Sequence, residues 1–292
     1  MLKIGIITDQ IGMDFESALQ DIAAAGLSTV EIHGLWGKTV ENLSIKEAKR
    51  ARHLLQDFGL KVSNIGPTLF FMCPLFDSTS PDDLKPVNPH FVHAKGDYAF
   101  HIDKLKKCFE IANILDTSMI RIFGFRRQEE TSDKVIEKIA QRFEFPVQLA
   151  ERAGMALVLE NCHYTNLPTG MLTYEVIKKI ESQSLKLLWD MGNTIKGDGI
   201  PYPDEYQVIK NDIAHIHVKN LSLDYGYTKK YSYDLIDRGI IDYRRVLPNL
   251  VKDEYNGVLS LEPEYSPKGN YKEGSLEFLQ SLRTVIQECG LE

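Results

Sequence analysis

The sequence predicts a single (β/α)8 barrel of the α/β class, and three observations carry that expectation. Short β-branched runs alternate with longer amphipathic stretches through eight units, the order that builds a parallel sheet with right-handed crossovers. The 292 residues are close to the roughly 250 that one α/β barrel occupies. No glycine-rich phosphate fingerprint follows the first apolar run, as an open dinucleotide-binding sheet would require. Nothing along residues 1–292 reads as a low-complexity linker or a second apolar core, so one domain is expected.

The first strand is Leu2–Thr8 (LKIGIIT), followed by a helix over Phe15–Ala25 that Gly26 ends. Thr29–His33 (TVEIH) leads to a helix over Ile45–Phe58 with Gly59 as its stop, and Lys61–Ile65 (KVSNI) is the third strand. Glycine at these ends supplies the left-handed backbone that closes a helix. A helix over Ala99–Leu115 precedes strand Met119–Phe123, and one over Lys134–Ala153 precedes strand Met155–Glu160 (MALVLE). Tyr174–Ile180 is the next helix, before strand Leu185–Asp190 (LKLLWD). A shorter helix over Asp204–Lys210 precedes strand Ile213–Lys219 (IAHIHVK), and Tyr243–Val251 precedes strand Gly257–Glu262 (GVLSLE). A helix over Glu273–Glu288 completes the pattern. Two connections are long, Pro67–Asp97 and Asn220–Gly239. Both follow a strand and so fall on the C-terminal face, where barrels place their active sites. Phe70, Phe71 and Phe76 in the first are expected to form an apolar lid or a subunit contact, which would suit a homo-oligomer.

Charge and composition exclude several classes. Lys and Arg total 34 against 41 Asp and Glu, a net −7, which disfavours a dedicated nucleic-acid binder. Hydrophobic residues at 43% and charged residues at 26% fit a globular chain and not a disordered one. No apolar run approaches the roughly 18–20 residues that span a bilayer, so no membrane partner is expected. The start MLKIGIITDQIG lacks the basic head, long apolar stretch and cleavage site of a secretion signal. Cys73, Cys108, Cys162 and Cys289 are scattered with no CxxC pair, which fits a reduced, cytoplasmic setting.

Four polar residues close four successive apolar strands: Glu160 (LVLE), Asp190 (LLWD), His217 (HIH) and Glu262 (LSLE). Burying a carboxylate there is costly without a charge partner. Taken singly, each acid is a helix cap and the histidine a hydrogen-bonded core residue. Four such residues meeting at one barrel mouth instead point to a bound cation. Three carboxylates and an imidazole suit one divalent metal ion, Mn, Mg, Co or Zn, and the lack of thiolate argues against a structural zinc site.

LVLENCH, LLWDMGN, HIHVKN and LSLEPEY, in that order, resemble the xylose isomerase-like superfamily, and within it the sugar phosphate isomerase/epimerase group of TIM barrels. The likeness extends to the GIITDQ start and the RGIIDYRRVL segment. It implies metal ligation by Glu160, Asp190, His217 and Glu262, with Glu160 and Glu262 facing each other as an acid/base pair. It further implies an isomerase or epimerase acting on a small sugar, ketose or polyol through a metal-stabilised enediolate. The group also holds inosose dehydratase-type lyases, DNA endonucleases and non-catalytic relatives. Ketose 3-epimerases of the group carry His where Asn193 stands and Arg where Leu223 stands, which argues against a free-ketose 3-epimerase. The endonucleases need further histidines, one at the Asn193 position. The common HxHxKD pattern ends here in Asn220.

Strand alternation places His215 and Lys219 on the same face as His217. His215 is expected deeper in the core. Lys219 is expected at the rim, contacting a substrate oxygen or forming a surface salt bridge. His163 and Asn193 are candidate substrate contacts, or ordinary loop residues. Glu31 and His33 share a face of the second strand; His33 and Trp36 just beyond it are further substrate candidates, Trp36 as a stacking platform for a sugar ring or as rim packing. Arg121 is expected to pair with Glu160 or another buried acid.

Overall fold

The structure, a computed structural model, describes residues 2–85, 87, 92–128, 131–224 and 230–291. In chain order the elements are β1 (Lys3–Ile7), α1 (Phe15–Ala24), β2 (Thr29–Ile32), a small hairpin of β3 (Gly34–Leu35) and β4 (Lys38–Thr39), α2 (Ile45–Asp57) and β5 (Lys61–Ile65). Then come α3 (Tyr98–Leu115), β6 (Met119–Phe123), α4 (Asp133–Ala153), β7 (Ala156–Glu160), α5 (Gly170–Ile180), β8 (Leu185–Asp190), α6 (Met191–Lys196) and α7 (Tyr206–Ile209). β9 (Ile213–Val218), a second hairpin of β10 (Asn220–Asp224) and β11 (Lys230–Asp234), α8 (Tyr243–Lys252), β12 (Val258–Leu261) and α9 (Tyr271–Glu288) complete the chain. The strands close a barrel in the order β1-β12-β9-β8-β7-β6-β5-β2. Every neighbouring pair is parallel.

Alternation along each strand decides what fills the barrel. Leu157 and Leu159, Leu187 and Trp189, Ile216 and Val218, and Leu259 and Leu261 join the apolar core shared with the helices. The residues between them face the barrel axis, so the same strands turn Glu160, Asp190 and His217 inward. Local caps set the helix starts. Ser44 and Glu47 form a reciprocal capping box at α2, and Asp97 accepts from Phe100 N at α3.

The structure departs from the sequence expectation in a few places. α5 starts at Gly170 rather than Tyr174, because Thr169 caps it by accepting from Leu172 N. The expected helix over Asp204–Lys210 is present with α-helical geometry only in α7 at Tyr206–Ile209, between a π turn at Pro201–Glu205 and a 3-10 turn at Lys210–Asp212, and α6 begins directly after β8. Asp190 itself caps α6, accepting from Asn193 N at 2.8 Å. The loop over Asn220–Gly239 contains the β10–β11 hairpin; residues 86 and 88–91 of the loop over Pro67–Asp97, with 225–229 of the other loop, lie outside the described residues. Phe70 is buried in the core and not in a lid, whereas Phe71 is buried at the cavity wall against Phe123 and Tyr164. Phe70 packs against Phe125, Phe143, Tyr98 and His101, and Phe76 is half-buried against the core. Among the described residues, no helix is long and apolar enough to cross a membrane.

Candidate metal centre

β7, β8, β9 and β12 are adjacent in the barrel, so their C-terminal ends bring Glu160, Asp190, His217 and Glu262 to one place. One ligand atom from each lies within 4.8 Å of all the others. Glu160, Asp190 and His217 are buried, and the Glu262 side chain keeps 13% of its surface exposed, toward the cavity above. Glu262 is held just past β12 by its own N–H, which donates to Val218 O at 3.0 Å.

Three carboxylates this close repel one another in a dry interior, and the chain surrounds them with donors. Lys219 Nζ lies 2.8 Å from Asp190 Oδ2 and 2.5 Å from Glu262 Oε2. Arg121 reaches Glu160 Oε2 at 3.2 Å, and Asn193 Nδ2 donates to Asp190 Oδ2 at 2.9 Å and Glu160 Oε1 at 3.3 Å. Burial pushes the Asp190 carboxyl up, Lys219 pulls against it, and Glu262 and Glu160 add to the rise. Burial acts the same way on Glu262, but Lys219 and His217 outweigh it and hold that carboxyl well below the usual range. Burial opposes charge on His217, yet Glu31, Glu262 and Glu160 together hold its imidazole well above the ordinary value.

The donor set fits a divalent cation. His217 Nδ1 is buried and makes no hydrogen bond, although Glu262 Oε2 lies 3.2 Å away and Glu160 Oε1 3.5 Å away. Its other nitrogen, Nε2, lies 3.0 Å from Glu31 Oε2, and the same oxygen lies 3.0 Å from His215 Nε2. Burial raises the Glu31 carboxyl, but His217 and His215 outweigh it and hold it well below the usual range. A nitrogen facing two carboxylate oxygens with no hydrogen bond of its own, in an O3N set free of sulfur, is what Mn, Mg, Co or Zn would satisfy.

Above the cluster opens a cavity of about 630 Å³, lined by Glu160, Glu262, Asn193, Lys219, His163 and His33 among others. Residues 19–282 match the family described as xylose isomerase-like TIM barrel. The chain belongs to that family. An inosose dehydratase of Glaesserella parasuis serovar 5 (strain SH0165) is 22% identical over 271 residues, spanning 87% of this chain and 83% of the relative. The probable 3-DHS dehydratase AsbF from Bacillus anthracis shares the fold, with a TM-score of 0.73 and 19% identity over 97% of this chain and 99% of that one. So does the IOLI protein with a binding zinc atom, with a TM-score of 0.73 and 13% identity over 99% and 98% of the two chains.

This xylose isomerase-like barrel places its rim candidates unevenly. His163 Nδ1 lies 2.7 Å from Asn193 Oδ1, and burial pushes its imidazole down to about 3, so it is neutral near pH 7. Asn193 thus joins His163 to the two carboxylates it contacts. His33 Nδ1 pairs with Asp9 Oδ2 at 2.6 Å; burial opposes its charge, but Asp9 outweighs that and raises it. Trp36 is the exception. Its ring packs edge-on against buried Phe15 at 5.4 Å, with Arg50 4.7 Å over its face, and it does not line the cavity. The stacking platform is therefore replaced by packing outside the site.

Sequence reasoning named Glu31 only as a neighbour of His33, and missed Asn161, Asp9 and Lys196. Asn161 accepts from Asp190 N at 2.8 Å and donates to Asp190 O at 2.8 Å, pinning that strand end. Lys196 lines the cavity and donates to the Tyr233 hydroxyl at 2.6 Å. A carboxylate in the middle of an apolar strand, as in TVEIH, was the one available signal.

Proposed function

We propose that this family member is a divalent-metal-dependent isomerase or epimerase of a small sugar, ketose or polyol, with Glu160 and Glu262 as the proton-transfer pair. The observation that carries the reading is the gathering of Glu160, Asp190, His217 and Glu262 within 4.8 Å, with both glutamates open to one cavity. The reaction removes a proton from a carbon next to a carbonyl, a hydrogen too weakly acidic to leave unaided. A divalent cation, when bound, supplies Lewis-acid stabilisation of the negative charge that develops on the carbonyl oxygen.

The chain's own residues supply the rest. Glu262 is held ionised beside Lys219 and His217, which suits it to accept the proton. Arg121 and Asn193 fix both oxygens of Glu160, which comes from a different strand and so meets the substrate from another side. Lys219, which lines the cavity, donates to a substrate oxygen, and neutral His163 holds Asn193, whose two N–H groups are engaged by Asp190 and Glu160. Returning the proton to the opposite face inverts a centre; returning it to the neighbouring carbon interconverts aldose and ketose.

A second reading, loss of a β-hydroxyl as water, is supported by the names of two relatives, the inosose dehydratase and the probable 3-DHS dehydratase. It uses the same first proton transfer. Incubating the Mn-loaded enzyme with a panel of ketoses and inososes in D2O, followed by NMR, separates the two. Deuterium beside the carbonyl of an epimer or isomer supports the first reading. A dehydrated product with a new C=C or deoxy-ketone signal supports the second. Absence of both label and product across the panel counts against proton transfer altogether.

A further inference from the structure

Below the metal-ligand cluster lies a second buried layer that the proton-transfer steps do not use. Glu31, His215 and His217 are each at most 1% exposed. Glu31 Oε2 sits between the two imidazoles, 3.0 Å from each Nε2. An ionised carboxylate can only accept, so each of those nitrogens carries a proton. The proton His217 keeps is therefore the one aimed at Glu31, and the nitrogen turned to Glu160 and Glu262 is Nδ1.

We propose that Glu31, braced by His215, is a positioning residue of the metal centre: it holds the His217 proton on Nε2 and so makes Nδ1 the metal-binding nitrogen. The proposal rests on the metal reading above and specifies how the protein builds that site. An imidazole whose far nitrogen donates to a carboxylate has its ring orientation fixed before the cation arrives, and it keeps that proton while the one on the near nitrogen gives way to the cation.

Several features fix Glu31 itself. Alternation along β2 turns Glu31 inward between Val30 and Ile32, which join the helix-facing core, and the pairing with β5 skips Ser63 so that Glu31 lies opposite Asn64. Gly66 faces the other carboxylate oxygen, where an added Cβ would come within 2.7 Å of Glu31 Oε1 and 3.2 Å of the Arg121 guanidinium carbon. Arg121 NH1 lies 3.9 Å from Glu31 Oε1 and 3.2 Å from Glu160 Oε2, so one guanidinium spans the inner carboxylate and an outer ligand. Two N–H groups hold Glu31 Oε2, while Oε1 makes no hydrogen bond and has Arg121 at 3.9 Å. Glu31, His215 and His217 also lie close enough to hold an ion of their own, but with both Nε2 atoms protonated toward Glu31 the trio is expected to take none.

The test is calorimetric titration of Mn2+ into the wild-type chain and into Glu31→Gln. One ion per chain is expected in both, with Kd raised about 10–100-fold in the variant. An unchanged Kd in the folded variant, or two ions per wild-type chain, overturns the proposal. Should Glu31→Gln fail to fold, the zinc-loaded wild-type chain decides by long-range 1H–15N NMR on labelled histidines, with His217 assigned through its loss in His217→Gln. A proton on Nε2 is expected, and a proton on Nδ1 overturns the proposal while leaving the metal reading intact. A wild-type chain that binds no Mn2+ overturns both together.

Discussion

His101 is wholly buried against Phe70, where its Nδ1 accepts a hydrogen bond from Phe70 N at 3.1 Å. Burial pushes its imidazole down to about 4. The unfolded chain takes up a proton there near pH 6.5, and the folded chain does so only near 4. The group's contribution is thus fully present above about pH 6.5 and is lost as the pH falls toward 4, by roughly 3 kcal/mol in all. Urea unfolding of the wild type and His101→Gln from pH 7 to 4 is expected to show a shallower loss in the variant; parallel curves would remove His101 from the effect. At the cavity, Glu262→Gln is expected to lower kcat at least about 10²-fold with an unchanged circular dichroism spectrum. Near-normal kcat would take Glu262 out of the proton transfer. The gathering of Glu160, Asp190, His217 and Glu262 was legible because each ends an apolar run whose alternation turns it inward. Trp36 misled because its place depends on a left-handed backbone (φ 51°) that swings the ring toward Phe15, and nothing local in the sequence reveals that.

The β10–β11 hairpin hangs on one amide. Asn220 Nδ2 donates to Ile236 O at 3.0 Å and Ile241 O at 3.1 Å, and its Oδ1 accepts from Leu221 N and Ile241 N at 2.9 Å. Gly239 leaves room for it: a Cβ there would come within 2.2 Å of Asn220 Cγ. An acid at this position keeps the acceptors, loses both donors, and turns a buried charge toward two carbonyls. Asn220→Asp is therefore expected to cost at least about 2 kcal/mol, read as a melting temperature lower by roughly 4 °C or more. An unchanged melting temperature would contradict that role for the amide. The barrel strands were legible to within a residue or two, since β-branched runs bounded by glycine and polar residues leave few alternatives. α6 was not: six residues beginning Met-Gly-Asn carry no amphipathic period, and its cap is Asp190, a residue read first as a ligand. The hairpin was hidden for a related reason, its polar, tyrosine-rich strands lying over the barrel mouth and burying little.

At the scale of the whole barrel, the C-terminal mouth concentrates acids that the fold must hold apart or neutralise. Lys219, Arg121 and Asn193 do part of this, and a dication would do more. A cation that binds only the folded chain stabilises it by mass action, about 2.7 kcal/mol at a hundred times Kd. Exhaustive chelation is therefore expected to lower the melting temperature and abolish turnover, with both restored by added Mn2+. An identical melting curve and full activity after chelation would count against a bound metal. The convergence of four strand ends was legible from their order along the chain, and the deeper place of His215 from strand alternation, whereas its pairing with Glu31 was not, since β2 and β9 meet only across the closed barrel. The most direct measurement is anomalous diffraction from a crystal soaked in Mn2+. A single peak is expected within coordination reach of Glu160, Asp190, His217 Nδ1 and Glu262; no peak there, or one held by other residues, would contradict the account.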